Sequence, residues 1–384
     1  MIMTNMDQDK AKVLFREGAI LLFLGVPEGT EFGIDYNSWK VGAQFRGVKM
    51  IPPGVHFVYY SACTKEGETG PRTGFFYNFK QREIVVRKWD NQLEDIGESD
   101  VSPEDMQRYH DNTQEMDKFL GPYPYNNYKT WVSLSSYITG DLACRLSPEK
   151  GKIASVSEFV SDKSTSQSRK ENNENNGSFN KSGTFTSEGP VSFQEAEDRL
   201  PDMKTTPGTS LRFSAIPKNK CPPGSSPAEI TKHNIDSSYT LEYVLLTYCT
   251  DNSNDILGEI QFSFICFLIG QVYDAFDQWK KLVHLLCSSE DALAKHTDLY
   301  LNFITILHFQ VKEIPEDFFV DIVSQDNFLT STLRVFFANI ESCQANEVLR
   351  KKGLKFRDHL TLKFKWDFVS VPDDDEPVVV SLVV

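Results

Sequence analysis

The sequence has no apolar run long enough to cross a membrane as a helix. Its most apolar stretch, Ile260 to Gly270, falls well short of the roughly 20 residues such a span needs, and Glu259 and Gln261 interrupt its start. Nor is there an excess of positive charge: 40 Lys and Arg against 54 Asp and Glu leave a formal net charge of −14. Non-specific binding to phosphate backbones needs the opposite balance, although a local basic patch is compatible with this one. Cysteine is sparse. Cys63, Cys144, Cys221, Cys249, Cys266, Cys287 and Cys343 are scattered and odd in number, with no C-x-x-C pair. Cys266 and Cys287 sit within apolar helical patterns, so buried thiols in a reducing compartment are expected. The N-terminus, MIMTNMDQDKAK, has no apolar core of signal-peptide length. A soluble intracellular protein is the expectation.

Catalytic signatures are missing too. The chain contains no G-x-x-x-x-G-K-[ST] phosphate loop, no G-x-G-x-x-G, no H-E-x-x-H and no G-x-S-x-G elbow. His284 and Cys287 lie one turn apart on an apolar helix, but no second pair stands at zinc spacing. No metal and no cofactor is expected.

What the chain does have is length and apolar content. Its 384 residues, 40% apolar and 12% aromatic, suffice for two cores, since single cores stop growing near about 250–300 residues. The stretch from Gly29 to Ser61 mixes five glycines with short β-branched and aromatic runs, ending in Val55-His56-Phe57-Val58-Tyr59-Tyr60. Strand patterns fall at Ala19–Leu24, Glu31–Ile34, Phe45–Ile51, Val55–Ser61, Phe75–Phe79 and Glu83–Lys88, with turn residues between them. That spacing predicts a mainly antiparallel sandwich or barrel over residues 19 to 90. Asp35, Arg46 and His56 lie within it and invite an acid–base reading, which requires side chains within hydrogen-bond reach. Asp and Asn between strands more often serve turns through side-chain-to-backbone bonds.

Helical signals flank this region. A short amphipathic helix is predicted from Asp7 to Glu17. Ser102-Pro103-Glu104-Asp105 places a cap, a first-turn proline and two acids at a helix start, and the helix is predicted to run to Leu120, where Gly121-Pro122 ends it. Tyr128, Trp131, Leu134 and Ile138 give one apolar face, expected to cover the sheet. From about Ser155 to Gly189 the composition is rich in Ser, Asn and Lys, with too few apolar anchors to offset the entropy of ordering. We read it as a disordered linker with serines open to phosphorylation.

Beyond the linker the pattern is helical. Ser226-Pro227-Ala228-Glu229 is a capping box. Helices are predicted at Asp255–Gly270, Gln271–Cys287, Ser289–Phe309, Phe318–Val323, Phe328–Ile340 and Val348–Phe364, and their short connections point to an antiparallel bundle or a short α-solenoid. Lys351, Lys352, Lys355, Arg357, Lys363 and Lys365 make the last helix basic, chiefly as a solvated face. After the acidic Pro372–Glu376 the chain ends in Pro377-Val378-Val379-Val380-Ser381-Leu382-Val383-Val384. Such a terminus either packs on its own chain or adds a strand to a partner's sheet, presenting Val378, Val380 and Leu382.

Several strings resemble one family closely. They are Gly29-Thr30-Glu31-Phe32-Gly33-Ile34-Asp35-Tyr36-Asn37-Ser38-Trp39, Phe45-Arg46-Gly47-Val48-Lys49-Met50-Ile51-Pro52-Pro53-Gly54, Phe119-Leu120-Gly121-Pro122-Tyr123-Pro124-Tyr125, Pro227-Ala228-Glu229-Ile230-Thr231-Lys232-His233, and the run from Phe318 to Leu329. In these the chain resembles the AAR-two family of pre-mRNA splicing factors, named for a1/alpha2 repression. The resemblance covers both predicted folded regions and not the linker. It implies an α+β multidomain protein: an N-terminal β-sandwich-like domain with covering helices over 1–152, a linker over 153–190, an all-α VHS-like helical domain over 191–370, and the acidic and valine-rich tail over 371–384. It implies a non-enzymatic assembly factor, or placeholder chaperone, of the U5 small nuclear ribonucleoprotein, acting in cytoplasm and nucleus. The implied partners are the RNase H-like and Jab/MPN domains of the large U5 scaffold protein (Prp-eight type) and associated U5 proteins, with docking of the Brr-two helicase delayed meanwhile. A monomer with no sequence-specific nucleic-acid binding is expected. The alternatives are a VHS-like trafficking adaptor, by fold analogy, and an enzyme using Asp35, Arg46 and His56.

Overall fold

A computed structural model describes residues 8–63, 68–97, 101–157, 206–219, 221–250, 252–314, 328–342 and 346–368. The predicted helix Phe318–Val323, nearly all of the predicted linker, Cys343 and the tail with Val378, Val380 and Leu382 lie outside the described residues.

Among the described residues ten strands form two five-stranded sheets. The first runs β8 (Asp95–Ile96), β7 (Ile84–Asp90), β1 (Ala19–Leu24), β4 (Gly47–Ile51), β9 (Leu120–Pro122), and the second β10 (Ile153–Ala154), β6 (Thr73–Phe79), β5 (Gly54–Ser61), β2 (Glu31–Ile34), β3 (Asn37–Lys40). The period-2 geometry of a strand explains how they stack. In β1, Ala19, Leu21 and Phe23 join Ile34, Val58, Tyr60 and Phe75 of the second sheet in one core, while Ile20 and Leu22 pack on the other side. In β5, Val58 and Tyr60 face that inter-sheet core, whereas Phe57 and Tyr59 face the helices beyond. A strand covered on both faces needs apolar residues at every position, which is why β1 reads AILLFL without alternation.

Four of the six predicted strands start or end within one or two residues of the observed bounds, and Ala19–Leu24 and Glu31–Ile34 coincide with them. The pairing is mainly antiparallel, as expected, and two features go beyond the expectation. Strand β3 was not legible, because NSWK is short and half exposed. The sheets are not purely antiparallel: β1 pairs with β7 in parallel, and so does β4 with β9. Between β1 and β7 the chain passes twice through the second sheet, as β2–β3 and then β5–β6, with β4 in the first sheet between them. Gly47, with φ of 139°, permits the β1–β4 pairing, because a Cβ there would lie 1.9 Å from the Leu21 carbonyl oxygen.

Helices cover both outer faces. α1 (Gln8–Glu17) precedes β1. α2 (Pro103–Asp111) and α3 (Thr113–Met116) bring Met106, Tyr109 and Met116 onto Ile20, Leu22 and Val86. The predicted continuous helix to Leu120 is corrected here. It stops at Asp111, where Asn112 leaves helical geometry and the Thr113 hydroxyl donates back to the Tyr109 and His110 carbonyls. Leu120–Pro122 then forms strand β9 on the edge of β4, where Pro122 is tolerated. The Ser102 cap is as predicted, its hydroxyl accepting from the Asp105 amide at 3.1 Å.

The other outer face meets α4 (Tyr128–Ser135) and α5 (Gly140–Leu146), and then the C-terminal helices: α6 (Pro227–Ile235), α7 (Ser238–Tyr248), α8 (Asp255–Leu268), α9 (Tyr273–Cys287), α10 (Glu290–Lys295), α11 (Thr297–Glu313), α12 (Phe328–Ser342) and α13 (Glu347–Phe364). One apolar cluster runs from Phe57 and Tyr59 through Trp131 and Leu142 to Leu257, Trp279, Phe336 and Phe368. The architecture is α+β, a β-sheet region followed by a helical one. The capping box at Ser226 and Glu229 is complete, and the thiols of Cys266 and Cys287 are buried. The predicted helix Ser289–Phe309 is two helices, broken at His296, which leaves helical geometry and places Nε2 2.7 Å from Glu242 of α7. Among the described residues no helix is long and apolar enough to cross a membrane.

Candidate functional site

The acid–base trio proposed from sequence is half assembled. Asp35 sits in the two-residue turn between β2 and β3 with φ of 54°, a conformation Asp tolerates better than most residues. Antiparallel pairing of β2 with β5 lays that turn against the start of β5. There His56 Nδ1 lies 2.6 Å from Asp35 Oδ2. Arg46 does not join them, because its Nη1 donates to the carbonyls of Ala43 and Phe45 in its own loop. A third partner comes from an unpredicted place: the Tyr123 hydroxyl, just past β9, donates to Asp35 Oδ2 at 2.5 Å.

Every polar atom of this cluster has a protein partner. The Phe57 amide donates to Asp35 Oδ1 at 3.0 Å, and His56 Nε2 stands 2.8 Å from the Pro52 carbonyl. A carbonyl only accepts, so Nε2 carries the hydrogen of that bond. The imidazole stacks on Trp131 at 6.1 Å with an interplanar angle of 14°, and Tyr123 and Phe79 meet it edge-on. Asp35 and His56 are each 1% exposed. Burial and the Asp35 carboxylate push the Tyr123 hydroxyl far above the usual phenol range. A carboxylate–imidazole pair this enclosed presents no face to a reactant. It ties the β2–β3 turn, the β4–β5 turn and the chain after β9 into one unit, and the Trp131 indole donating to the Val55 carbonyl at 3.0 Å fastens α4 to the same place.

Polar clasps also line the seam between sheet and helices. Arg72 of the loop before β6 donates to the Ile269 carbonyl at 2.7 Å and to Glu31 at 3.0 Å, with its guanidinium over the Tyr59 ring. Tyr36 donates to Glu313 at 2.6 Å, and burial with that carboxylate raises its pKa beyond the ordinary phenol value. Gln261, 0% exposed, accepts from the Tyr137 amide and donates to the Ser133 carbonyl and Ser136 hydroxyl. Beside it Gly258 allows α8 to touch the first region, since a Cβ there would meet Leu142 at 2.3 Å and the Tyr137 carbonyl at 2.4 Å. Glu259 accepts from the Ser214 amide (2.8 Å), the Ser214 hydroxyl (2.6 Å) and Gln278 Nε2 (3.0 Å). The two residues read from sequence only as interruptions of an apolar run are therefore buried clasps. Polar side chains inside an otherwise apolar helix were the available signal, since such groups are buried only with partners.

Comparison with known proteins places this architecture. A family model described as the AAR2 N-terminal domain matches residues 17–148, and one described as the AAR2 C-terminal repeat region matches residues 213–369. The chain belongs to the AAR2 family. It is 48% identical over 384 residues to a Homo sapiens protein named Protein AAR2 homolog, covering 100% of this chain and 98% of that one. Identity to the Caenorhabditis elegans protein of the same name is 41% over 358 residues, covering 92% and 96%. A Saccharomyces cerevisiae protein named A1 cistron-splicing factor AAR2 is 24% identical over 301 residues, 77% of each chain. Asp35, His56 and Tyr123 fall inside the N-terminal AAR2 match, and Glu259 and Gln261 inside the C-terminal one.

Proposed function

We propose that this AAR2-family chain is a non-catalytic assembly factor of pre-mRNA splicing, acting on the U5 small nuclear ribonucleoprotein in cytoplasm and nucleus. The observation that carries the splicing role is membership of a family whose yeast relative is named as a splicing factor. The non-catalytic reading is supported by the enclosure of the Asp35–His56 pair, the chain's best candidate for acid–base chemistry. On this reading the chain holds the RNase H-like and Jab/MPN domains of the large U5 scaffold protein until the helicase is due to dock. Val378, Val380 and Leu382 of the tail add a strand to a partner sheet.

The test is affinity capture of the full chain from cytoplasmic and nuclear extracts, with the retained proteins identified by mass spectrometry. Recovery of the large U5 scaffold protein, reduced when Pro377 to Val384 are deleted, is the expected result. Capture of sorting receptors or ubiquitin with no splicing protein would replace this reading with that of a trafficking adaptor.

A further inference from the structure

α13 exposes a row of basic side chains in a chain of net charge −14. Leu349, Gly353, Phe356 and Leu360 point inward, with Gly353 against Ile340 of α12 and Phe356 against Phe337 and His308. A row of exposed residues, Lys351, Lys355, His359 and Lys363, spaced four apart, winds from the opposite face of the helix toward its α11 side. α11 extends the patch. His308 lies with its ring 4.8 Å from that of His359, and Lys352 reaches the Leu301 carbonyl and Thr305 hydroxyl of α11. The acids around it are Glu347, one turn before Lys351, Asp358, which pairs with Arg357 at 3.8 Å, and Glu341, which also pairs with Arg357, while Glu313 is held by Tyr36. Among the described residues, Lys351, Lys355 and Lys363 have no ion-pair partner.

Like charges four apart on a helix repel. The positive potential is felt locally, for His359, Lys363 and Lys312 all act with burial to lower the pKa of His308. Two large apolar side chains flank the row, Val348 at 61% and Leu362 at 73% exposure.

We propose that this face of α13, with the adjoining edge of α11, docks an acidic segment of a partner polypeptide, its carboxylates on Lys351, Lys355 and Lys363 and its apolar side chains on Val348 and Leu362. The spacing fits. Lys351 and Lys355 are one step of about 6 Å apart along the helix and Lys355 and Lys363 two such steps, close to one and two of the roughly 6.6 Å intervals between alternate residues of an extended chain. Polypeptide is favoured over RNA because the row is flanked by exposed aliphatic side chains, whereas single-stranded nucleic acid is held by aromatic stacking platforms. The net charge of −14 does not oppose docking, since exposed charges beyond about 8 Å are screened at physiological ionic strength. The inference stands independently of the splicing role.

The test uses the full chain and a fluorescein-labelled twelve-residue peptide of alternating Glu and Ser closed by Leu at each end, followed by fluorescence anisotropy. Binding at 0.1 M salt that weakens at least tenfold in the K351E/K355E/K363E variant, and at least threefold in the milder K351Q/K355Q/K363Q variant, is expected. A control with the same charge change elsewhere, K80E/K118E/K129E, should retain the wild-type affinity. Equal loss in the control would overturn the proposal, because only net charge would then matter. Tighter binding of a twelve-nucleotide single-stranded RNA through the same lysines would overturn it in favour of nucleic acid. Binding that appears only after residues 369–384 are deleted would overturn it in favour of the chain's own acidic tail. Circular dichroism melting separates each result from unfolding.

Discussion

The hydroxyl of Tyr36, in the turn between β2 and β3, donates to Glu313 Oε2 at 2.6 Å, joining the sheet region to the last residue of α11. The acceptor is a carboxylate in a half-buried site, so the bond is charge-assisted. Tyr36→Phe keeps the ring and removes only the donor. The expected cost is roughly 1–2 kcal/mol in urea unfolding, at the lower end of hydrogen bonds to charged groups because water reaches Glu313 once the phenol is gone. Hydrogen exchange should quicken at the end of α11 and in the β2–β3 turn. An unchanged exchange pattern would show that the apolar cluster alone holds the seam.

Asp35 and His56 call for a double-mutant cycle. Removing either partner leaves the other buried, and breaking a buried pair costs about 3–5 kcal/mol. Asp35→Ala also strips the Tyr123 hydroxyl and the Phe57 amide of their acceptor, so it should be the more damaging of the two. The double variant should cost less than the sum of the singles by about 1–3 kcal/mol. Additive losses in denaturant unfolding would mean that the two residues stabilise the fold separately. Capture of U5 proteins should persist in any variant that remains folded, since the proposed function gives this pair no chemical step.

How much of this was readable beforehand depends on the range of the interaction concerned. Capping at Ser102 and Ser226 and the turn role of Asp35 are local, and residues two to four apart determined them. The apolar face of Tyr128, Trp131, Leu134 and Ile138 follows from helical period alone. Parallel pairing of β1 with β7 was invisible, because direction in a sheet depends on where the intervening chain travels. The partner of Asp35 was guessed in part: His56 lay nearby in sequence, but Tyr123 is 88 residues away and reaches the site only because β9 docks on β4. Arg46 was chosen for its charge, and its own loop carbonyls captured it first. Glu259 and Gln261 were seen only as polar residues in an apolar run, since their partners Ser214 and Ser133 lie 45 and 128 residues off.

Glu259 supplies a prediction about the segment leading into the helical region. Its carboxylate holds Ser214 twice and Gln278 once in a site 1% exposed. Glu259→Ala leaves those donors without acceptors and should cost about 3–5 kcal/mol, whereas Glu259→Gln keeps the shape and one acceptor oxygen and should cost about half as much. Hydrogen exchange over residues 206–219 should rise in both, most in the alanine variant. Protection there equal to wild type would refute the clasp.

His308 makes the stability depend on pH. Burial lowers its pKa below the ordinary value of about 6.5, and the nearby His359, Lys363 and Lys312 act in the same direction. The unfolded chain therefore binds the proton more readily than the folded one. Linkage then gives the sign: the neutral ring's contribution is complete above about pH 6.5 and is lost progressively as pH falls from there through the depressed folded value. His308→Gln removes the titration while keeping a polar side chain of similar reach between α11 and α13. Its urea midpoint should fall less steeply than that of the wild type between pH 6.5 and pH 5. His359→Gln, by removing one of the neighbouring positive groups, should shift the wild-type decline to lower stability loss without abolishing it. Parallel curves for wild type and His308→Gln would assign the acid sensitivity to other groups.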